Sequence, residues 1–457
     1  MPTGFGRLWT AQTVSSLGDG VSHAALPLIA LTLTRDPMAL AVVTAAGTLP
    51  WLLFGVLGGA LVDRWDRRRT MWVADAARAV LLATPAAAAV LDVLSIPLLA
   101  AVAFLLGLGQ LFFDTAATAY LPDLLRRDPA LLERANSRLR GAQTAMSGFA
   151  GPPAGSALLA LGRAVPLLTD AVSFTLSALL VRTLPAMPRP VPEARESLLR
   201  QARAGAAYVF RDRVLLGLAL RPAVGNVAFL AVETVLALFA HDRLGIDTYG
   251  FGLLLTAEAT GGLLGAGIAS FLGRRLGTGT ALTCTAAVEG LAILGLAAAP
   301  NPYVAGLALA VCGAGMGATM VLAPSLRQAI VPAHLMGRVA STSRMLAMCA
   351  APLGAFIGGW LATTYDIRTP LYAAAVLLLT MTAVTASMTS NRRVEAALRA
   401  AAPAGRPDHP ASKDPAQESA PDLLWRRPAR RANKTGGGCV CGVPIAGGRP
   451  LPGHRGV

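Results

Sequence analysis

About twelve apolar runs, each near 20 residues long, succeed one another between residues 8 and 390, and this succession restricts the fold more than any other property of the chain. The runs are 8–33, 38–62, 71–91, 96–120, 139–162, 166–184, 214–240, 249–272, 279–299, 302–324, 338–363 and 367–390. A helix rising about 1.5 Å per residue needs about 20 such residues to cross a bilayer. Hydrocarbon offers backbone groups no partner outside their own helix. The expected fold class is therefore an all-α membrane protein with twelve transmembrane helices.

The placement of arginine tests the count. With the N-terminus inside, the even links hold Arg64 and Arg67 to Arg69; Arg126, Arg127, Arg134, Arg138 and Arg140; the segment 182–213; Arg274 and Arg275; and Arg327 with Arg338. The odd links hold only Arg35, Arg163, Arg243 and Arg368. Positive residues favour the cytoplasmic side, so the asymmetry predicts both termini inside a multi-pass protein of the cell membrane. It also explains the net charge of +15, which marks no nucleic-acid partner because no basic face is interleaved with aromatics. Hydrophobic residues make up 54% of the chain and charged ones 14%, against about 25% charged in a soluble domain.

The chain divides into an N-terminal six-helix bundle (1–184), a central cytoplasmic linker (185–213), a C-terminal six-helix bundle (214–390) and a cytoplasmic tail (391–457) expected to be disordered. The linker opens with Pro185, Pro188, Pro190 and Pro192 and continues as an arginine-rich, amphipathic stretch. The halves echo each other: Gly18-Asp19 corresponds to Gly225-Asn226, and Pro122, Arg138, Pro152 correspond to Pro324, Arg338, Pro352. Cys284, Cys312 and Cys349 fall inside apolar runs and Cys439 and Cys441 in the tail, so no disulfide framework is implied. Cys439 and Cys441 with His454 fit no standard four-ligand site, and no metal or cofactor is expected. The first apolar run lacks a small-residue cleavage site and reads as a span, not as a signal peptide.

Between the second and third spans stands Gly58-Gly59-Ala60-Leu61-Val62-Asp63-Arg64-Trp65-Asp66-Arg67-Arg68-Arg69. This link resembles the loop signature of the major facilitator superfamily, a glycine, an aspartate four residues on, a basic residue and an arginine cluster. The resemblance covers roughly residues 1 to 390 and implies two pseudo-symmetric six-helix bundles around a central cavity. It further implies a cytoplasmic latch of Gly59, Asp63, Arg64, Arg67 and Arg68, with Asp63 facing the N-terminus of the eleventh helix. A carboxylate suits that positive helix end. The arginines either exchange ion pairs as the halves rock or serve as topology anchors. One departure is Asp66, where the family usually has glycine; a second is Gly273-Arg274-Arg275, which has no counterpart of Asp63. Ser16 to Asp19 with Ala25 to Leu28, and Phe113 to Ala116 with Leu121-Pro122 and Ala135 to Ser137, resemble the branch of the enterobactin exporter and macrolide-efflux proteins. Gly148, Gly151, Pro152 and Gly155 in the fifth span are similar to the family's antiporter motif and favour export. Such a segment is either a bending point or the glycine and proline common in membrane helices.

Charges inside spans cost about 2.5 to 3.5 kcal/mol each at mid-membrane and need a reason. Asp19 and His23 lie in the first span, Asp75 and Arg78 in the third, Asp114 in the fourth, Arg221 and Glu233 in the seventh, Glu258 in the eighth, Glu289 in the ninth and Arg344 in the eleventh. Asp75, Arg78, Asp114 and Arg344 are expected near the arginine-rich ends, as a structural cluster or snorkelling. By the resemblance, spans one, four, seven and ten line the cavity with parts of two, five, eight and eleven. Asp19, His23 and Glu258 are then the proton-coupling candidates, and Asn226, Glu233 and Gln110 the substrate-cavity candidates. Asp19 serves either as a proton carrier or as a helix-to-helix hydrogen-bond partner. His23, one turn away, either shares that proton or is a satisfied hydrogen-bonding residue. Glu233 and Glu258 alternatively select cationic cargo.

The only lysines, Lys413 and Lys434, lie in the tail, so no phosphate-cradling loop is present and an ion gradient is the expected driver. One charge moved through roughly 150 mV supplies about 3.5 kcal/mol. The functional expectation is a monomeric secondary transporter exporting a hydrophobic or amphipathic small molecule in exchange for protons by alternating access. Alternatives are an uptake permease and a non-transporting sensor or scaffold. A membrane enzyme is disfavoured because the five histidines are scattered and none forms His-Glu-x-x-His.

Overall fold

A computed structural model describes residues 3–62, 65–126, 128–187 and 206–401. The helices are α1 (Thr3–Leu33), α2 (Pro37–Val62), α3 (Arg67–Val90) and α4 (Ile96–Leu124), then α5 in three consecutive pieces (Pro129–Gln143, Thr144–Ala150 and Gly151–Leu161), and α6 (Ala164–Arg182). The second half holds α7 (Arg213–Leu244), α8 (Thr248–Leu276), α9 (Thr278–Ala297), α10 (Pro302–Ile330), α11 (Ala333–Thr364) and α12 (Thr369–Met388). Among the described residues, 11 uninterrupted helices are long and apolar enough to cross a membrane. The remaining span is α5, which its own sequence breaks into pieces: Pro152 and Pro153 supply no N–H to the turn behind them, and the stretch Thr144–Ala150 is wound as a π-helix. Gly151 N–H reaches back to Met146 O. The segment, expected to be either a bending point or the glycine and proline common in membrane helices, is a re-phased helix.

Polar residues in the links start and stop these helices. Asp212, Asp247 and Asn301 accept bonds from the first free N–H groups of α7, α8 and α10, and Gly245 ends α7 in the left-handed region at φ 63°. Asp66, the departure from the family loop, does the same for α3, accepting from Arg69 N at 2.8 Å. Replacing Asp66 with alanine is expected to lower stability by about 1 kcal/mol, whereas the family's usual glycine costs only a few tenths. Thermal unfolding in detergent of the two variants checks this; equal melting temperatures for alanine and wild type would remove the cap.

The first eleven residues of the stretch expected to be a disordered tail form a helix, α13 (Asn391–Ala401). Its Val394 is buried in the C-terminal core, and Asn391 binds Leu276 O and Thr280 N, tying it to the α8–α9 link. Residues 402–457, with the cysteine pair and His454, and residues 188–205 of the linker lie outside the described residues.

Apolar packing differs at the two ends of the molecule. At the arginine-rich end the halves have separate cores: Phe5, Leu8, Met71, Tyr120 and Val181 in one, Leu218, Leu282, Leu322 and Leu326 in the other. At the opposite end the cores merge. Ala24 and Leu28 of α1 sit among Val235, Phe239, Phe251 and Leu371, while Leu238 of α7 sits among Ile29, Leu40 and Leu167. Arg35 bonds Asp242 across the halves there at 2.8 Å. Among the described residues, the space between the halves therefore opens toward the arginine-rich end.

Candidate functional site

Two polar groups face the space between the halves. The first is built on α1, α3 and α6. Asp19 lies halfway along α1, and Arg78 Nη2 donates to its Oδ1 at 2.9 Å. Arg78 Nη1 lies 3.3 Å from Asp75 Oδ1, one turn earlier on α3, and its guanidinium covers the Phe174 ring of α6 at 3.7 Å. Ser177 Oγ donates to Asp75 at 2.6 Å. Asp170 of α6 accepts from Ser22 of α1 and lies 3.1 Å from Ser173 Oγ. Asp75, Arg78 and Asp170 are buried, while the Asp19 side chain is 36% exposed and forms the mouth of the network. Glycines make the room: a Cβ on Gly18 would fall 2.0 Å from Ser173 Oγ, and one on Gly109 of α4 would fall 2.7 Å from Arg78 Cγ.

The second group crosses the halves. His23 Nε2 lies 3.6 Å from Glu233 Oε1 of α7, with His23 48% exposed and Glu233 largely covered. Glu258 of α8 is half-buried and makes no side-chain hydrogen bond among the described residues. Of the two roles expected for His23, sharing a proton with Asp19 or being satisfied by a partner, the pairing with Glu233 of the opposite half fits the second.

Other expected residues find different partners. Asn226 donates to Ala347 O at 2.9 Å and so clamps α7 to α11 within one half; it is not a free cavity group. Gln110 donates to Asp114 Oδ1 at 3.0 Å, and its own Oε1 is buried without a partner. Arg344 stands over the Trp51 ring at 4.8 Å, a cation on an aromatic face that joins α11 to α2 across the halves. Arg78 is not near the helix end as expected: α3 starts at Arg67, three turns before it, and Arg78 reaches the depth of Asp19. Glu289 accepts from Thr319 at 3.1 Å inside the C-terminal bundle, and Arg221 donates to Leu282 O there.

Of the latch residues, Asp63 and Arg64 lie outside the described residues, and of Gly59 only its helical backbone in α2 is described. Arg67 binds Ala119 O and the Asp123 carboxylate of α4, and Arg68 donates to Leu184 O at 3.0 Å. All three bonds stay within the first half, so among the described residues neither arginine spans the halves. In the antiporter-like motif, a Cβ on Gly151 would meet Gly20 Cα at 2.5 Å and one on Gly155 would meet Val21 O at 2.3 Å, a backbone-close crossing of α5 and α1. Gly148 faces Ala259 of α8, and Pro152 O faces Gly252 of α8, so the same motif touches the second half.

Asp170 escaped the sequence reading. It lies four residues inside the expected start of the sixth span, where a carboxylate passes for interfacial. Only the burial of α6 against α1 and α3 reveals its depth.

A family model described as transmembrane secretion effector matches residues 2–416. The chain belongs to this family of major facilitator transporters. A multidrug efflux pump, Tap, of Mycolicibacterium fortuitum is 27% identical over 396 residues, covering 85% of this chain and 96% of the relative. Tap of Mycobacterium tuberculosis is 28% identical over 381 residues, covering 80% and 88%. The fold of this transporter resembles that of a bacterial homologue of the iron transporter ferroportin in its inward-facing state, with a TM-score of 0.70 at 17% identity, covering 85% of this chain and all of the other. The protein is a membrane transporter.

Proposed function

We propose that this transporter expels hydrophobic or amphipathic small molecules, drugs among them, in exchange for protons. The observation that carries the reading is the Asp19–Arg78 pair: an acid at mid-bilayer, opened on one side to the space between the halves, is chemically suited to take up and release a proton. The names of the Tap relatives support drug efflux as the direction and cargo class. In this reading the arginine-rich end is cytoplasmic, both termini are inside, the protein works as a monomer in the cell membrane, and the open end receives cargo from the cytoplasm. Glu258, half-buried and without a side-chain hydrogen bond among the described residues, favours cargo that carries a positive group.

Uptake of a panel of dyes and antibiotics into everted vesicles, with and without an imposed pH gradient, tests the reading. Gradient-dependent uptake of at least one cationic compound is expected, with Asp19→Asn and Glu258→Gln each reducing it at least tenfold. Wild-type rates for both variants would defeat proton coupling through these carboxylates, and accumulation in place of exclusion by intact cells would favour an uptake permease.

A further inference from the structure

We propose that Asp170, on the supporting helix α6, is the carboxyl that holds a proton in this conformation, while Asp19 stays ionised against Arg78 and serves as the outlet to the cavity. The proposal rests on the reading of proton exchange above and names the group behind it.

Charge comes first. α6 packs against α1, α3 and α5, and its neighbours bring Asp19 from α1 and Asp75 and Arg78 from α3; Gly151–Leu161 of α5 contributes no titratable residue. Three carboxylates thus share one guanidinium. Its two terminal nitrogens are given to Asp19 and Asp75, and its face is laid on Phe174, so Asp170 receives no cationic hydrogen bond. A buried carboxylate without a cation is the member of such a set that is best neutralised by a proton.

Hydroxyl accounting agrees. Ser22 Oγ donates to Asp170 Oδ2. Ser173 has one hydroxyl proton, and its best acceptor is the main-chain Asp170 O at 2.8 Å. Ser173 Oγ also lies 3.1 Å from Asp170 Oδ1, and in the proposed acid form, with its own proton kept on the main-chain oxygen, it accepts there from an Oδ1–H group. One bond received and one given is the pattern of a carboxylic acid.

The outlet follows from Gly18. A Cβ there would fall 2.3 Å from Asp170 Oδ1, so the missing side chain leaves Asp170 adjoining the turn that carries Asp19. A proton leaving Asp170 passes to the Asp19 carboxylate and then to water in the cavity. Asp170 becomes the carboxylate, Asp19 transiently the acid, and Asp19 returns to its ionised form.

Infrared difference spectroscopy of the purified full chain in lipid at neutral pH tests this without any cargo. The expected result is a protonated-carboxyl C=O stretch that Asp170→Asn removes and Asp19→Asn retains. Ser22→Ala, which deletes the bond to Oδ2, is expected to move the same band to higher frequency, and it serves if Asp170→Asn does not fold. A band that survives Asp170→Asn, or that Ser22→Ala leaves unmoved, overturns the assignment. Failure of pH-driven transport in wild-type vesicles would instead sink the exchange reading, and the band would still report which carboxyl holds the proton.

Discussion

Replacing Arg78 with glutamine is expected to destabilise the fold by about 3–5 kcal/mol and to lower its melting temperature sharply. The side chain holds Asp19 at 2.9 Å and Asp75 at 3.3 Å, and its ring contact with Phe174 fixes α6 against α3. Removing one partner of a buried ion pair costs about 3–5 kcal/mol because the other charge stays buried. Total stabilities are about 5–15 kcal/mol, so the loss takes a large share. The change also gives up the ring contact with Phe174, but the larger penalty is that of the stranded charge. Adding Asp75→Asn to Arg78→Gln is expected to restore part of the stability, since it deletes the stranded carboxylate. Detergent size-exclusion profiles and melting temperatures of the single and double variants decide it: a single variant as stable as wild type, or a double variant worse than the single, would show that Arg78 is not the network's counter-ion.

The second large effect is expected where α8 meets α10. A Cβ on Gly261 would lie 1.8 Å from Ala310 O, on Gly265 1.9 Å from Ala314 O, on Gly313 2.0 Å from Glu258 O, and on Gly317 1.9 Å from Gly262 O. Glycines from each helix thus seat the backbone of the other, four residues apart on both sides. No rotamer change relieves a clash with a carbonyl, so an added methyl must push the helices apart. Overpacking of this kind costs about 1–3 kcal/mol per site. Gly313→Ala is the more informative choice because the atom it strikes belongs to Glu258, and shifting α8 there moves the carboxylate proposed to select cargo. Lower stability together with at least a tenfold loss of transport is expected, against a smaller functional loss for Gly317→Ala. Unchanged melting temperatures for both would mean that the helices are not in backbone contact.

Much of this was legible in the sequence because hydrocarbon leaves few options. Apolar length and arginine placement suffice for the spans, and they place even α5, whose π-helical stretch no length criterion anticipates. The loop around Asp63 signals the family without needing the fold. Depth and partner choice are harder. Arg78 looked close to a helix end because the apolar run starts at Met71, whereas Asp66 caps α3 a full turn earlier. His23 lies one turn from Asp19 along α1, yet its partner Glu233 is 210 positions away in the chain, and no local spacing encodes that meeting. Asn226 was placed in the cavity by analogy with Asp19; the analogy fixes its register but not the Ala347 carbonyl that occupies it.

The merged core at the end opposite the arginines bears on leakage. For the carrier to open there, Leu28 must leave the pocket around Phe239, and Leu238 the one around Leu40. At about 1.5–3 kcal/mol per leucine, these two side chains alone set about 3–6 kcal/mol against opening. Unless contacts formed at the arginine-rich end offset that, an empty carrier opens at the other end roughly a hundred to ten thousand times less often than it stays as seen here. Under the proposed proton exchange, idle cycling that would dissipate the gradient is then restrained by ordinary apolar burial, far from Asp19 and Asp170.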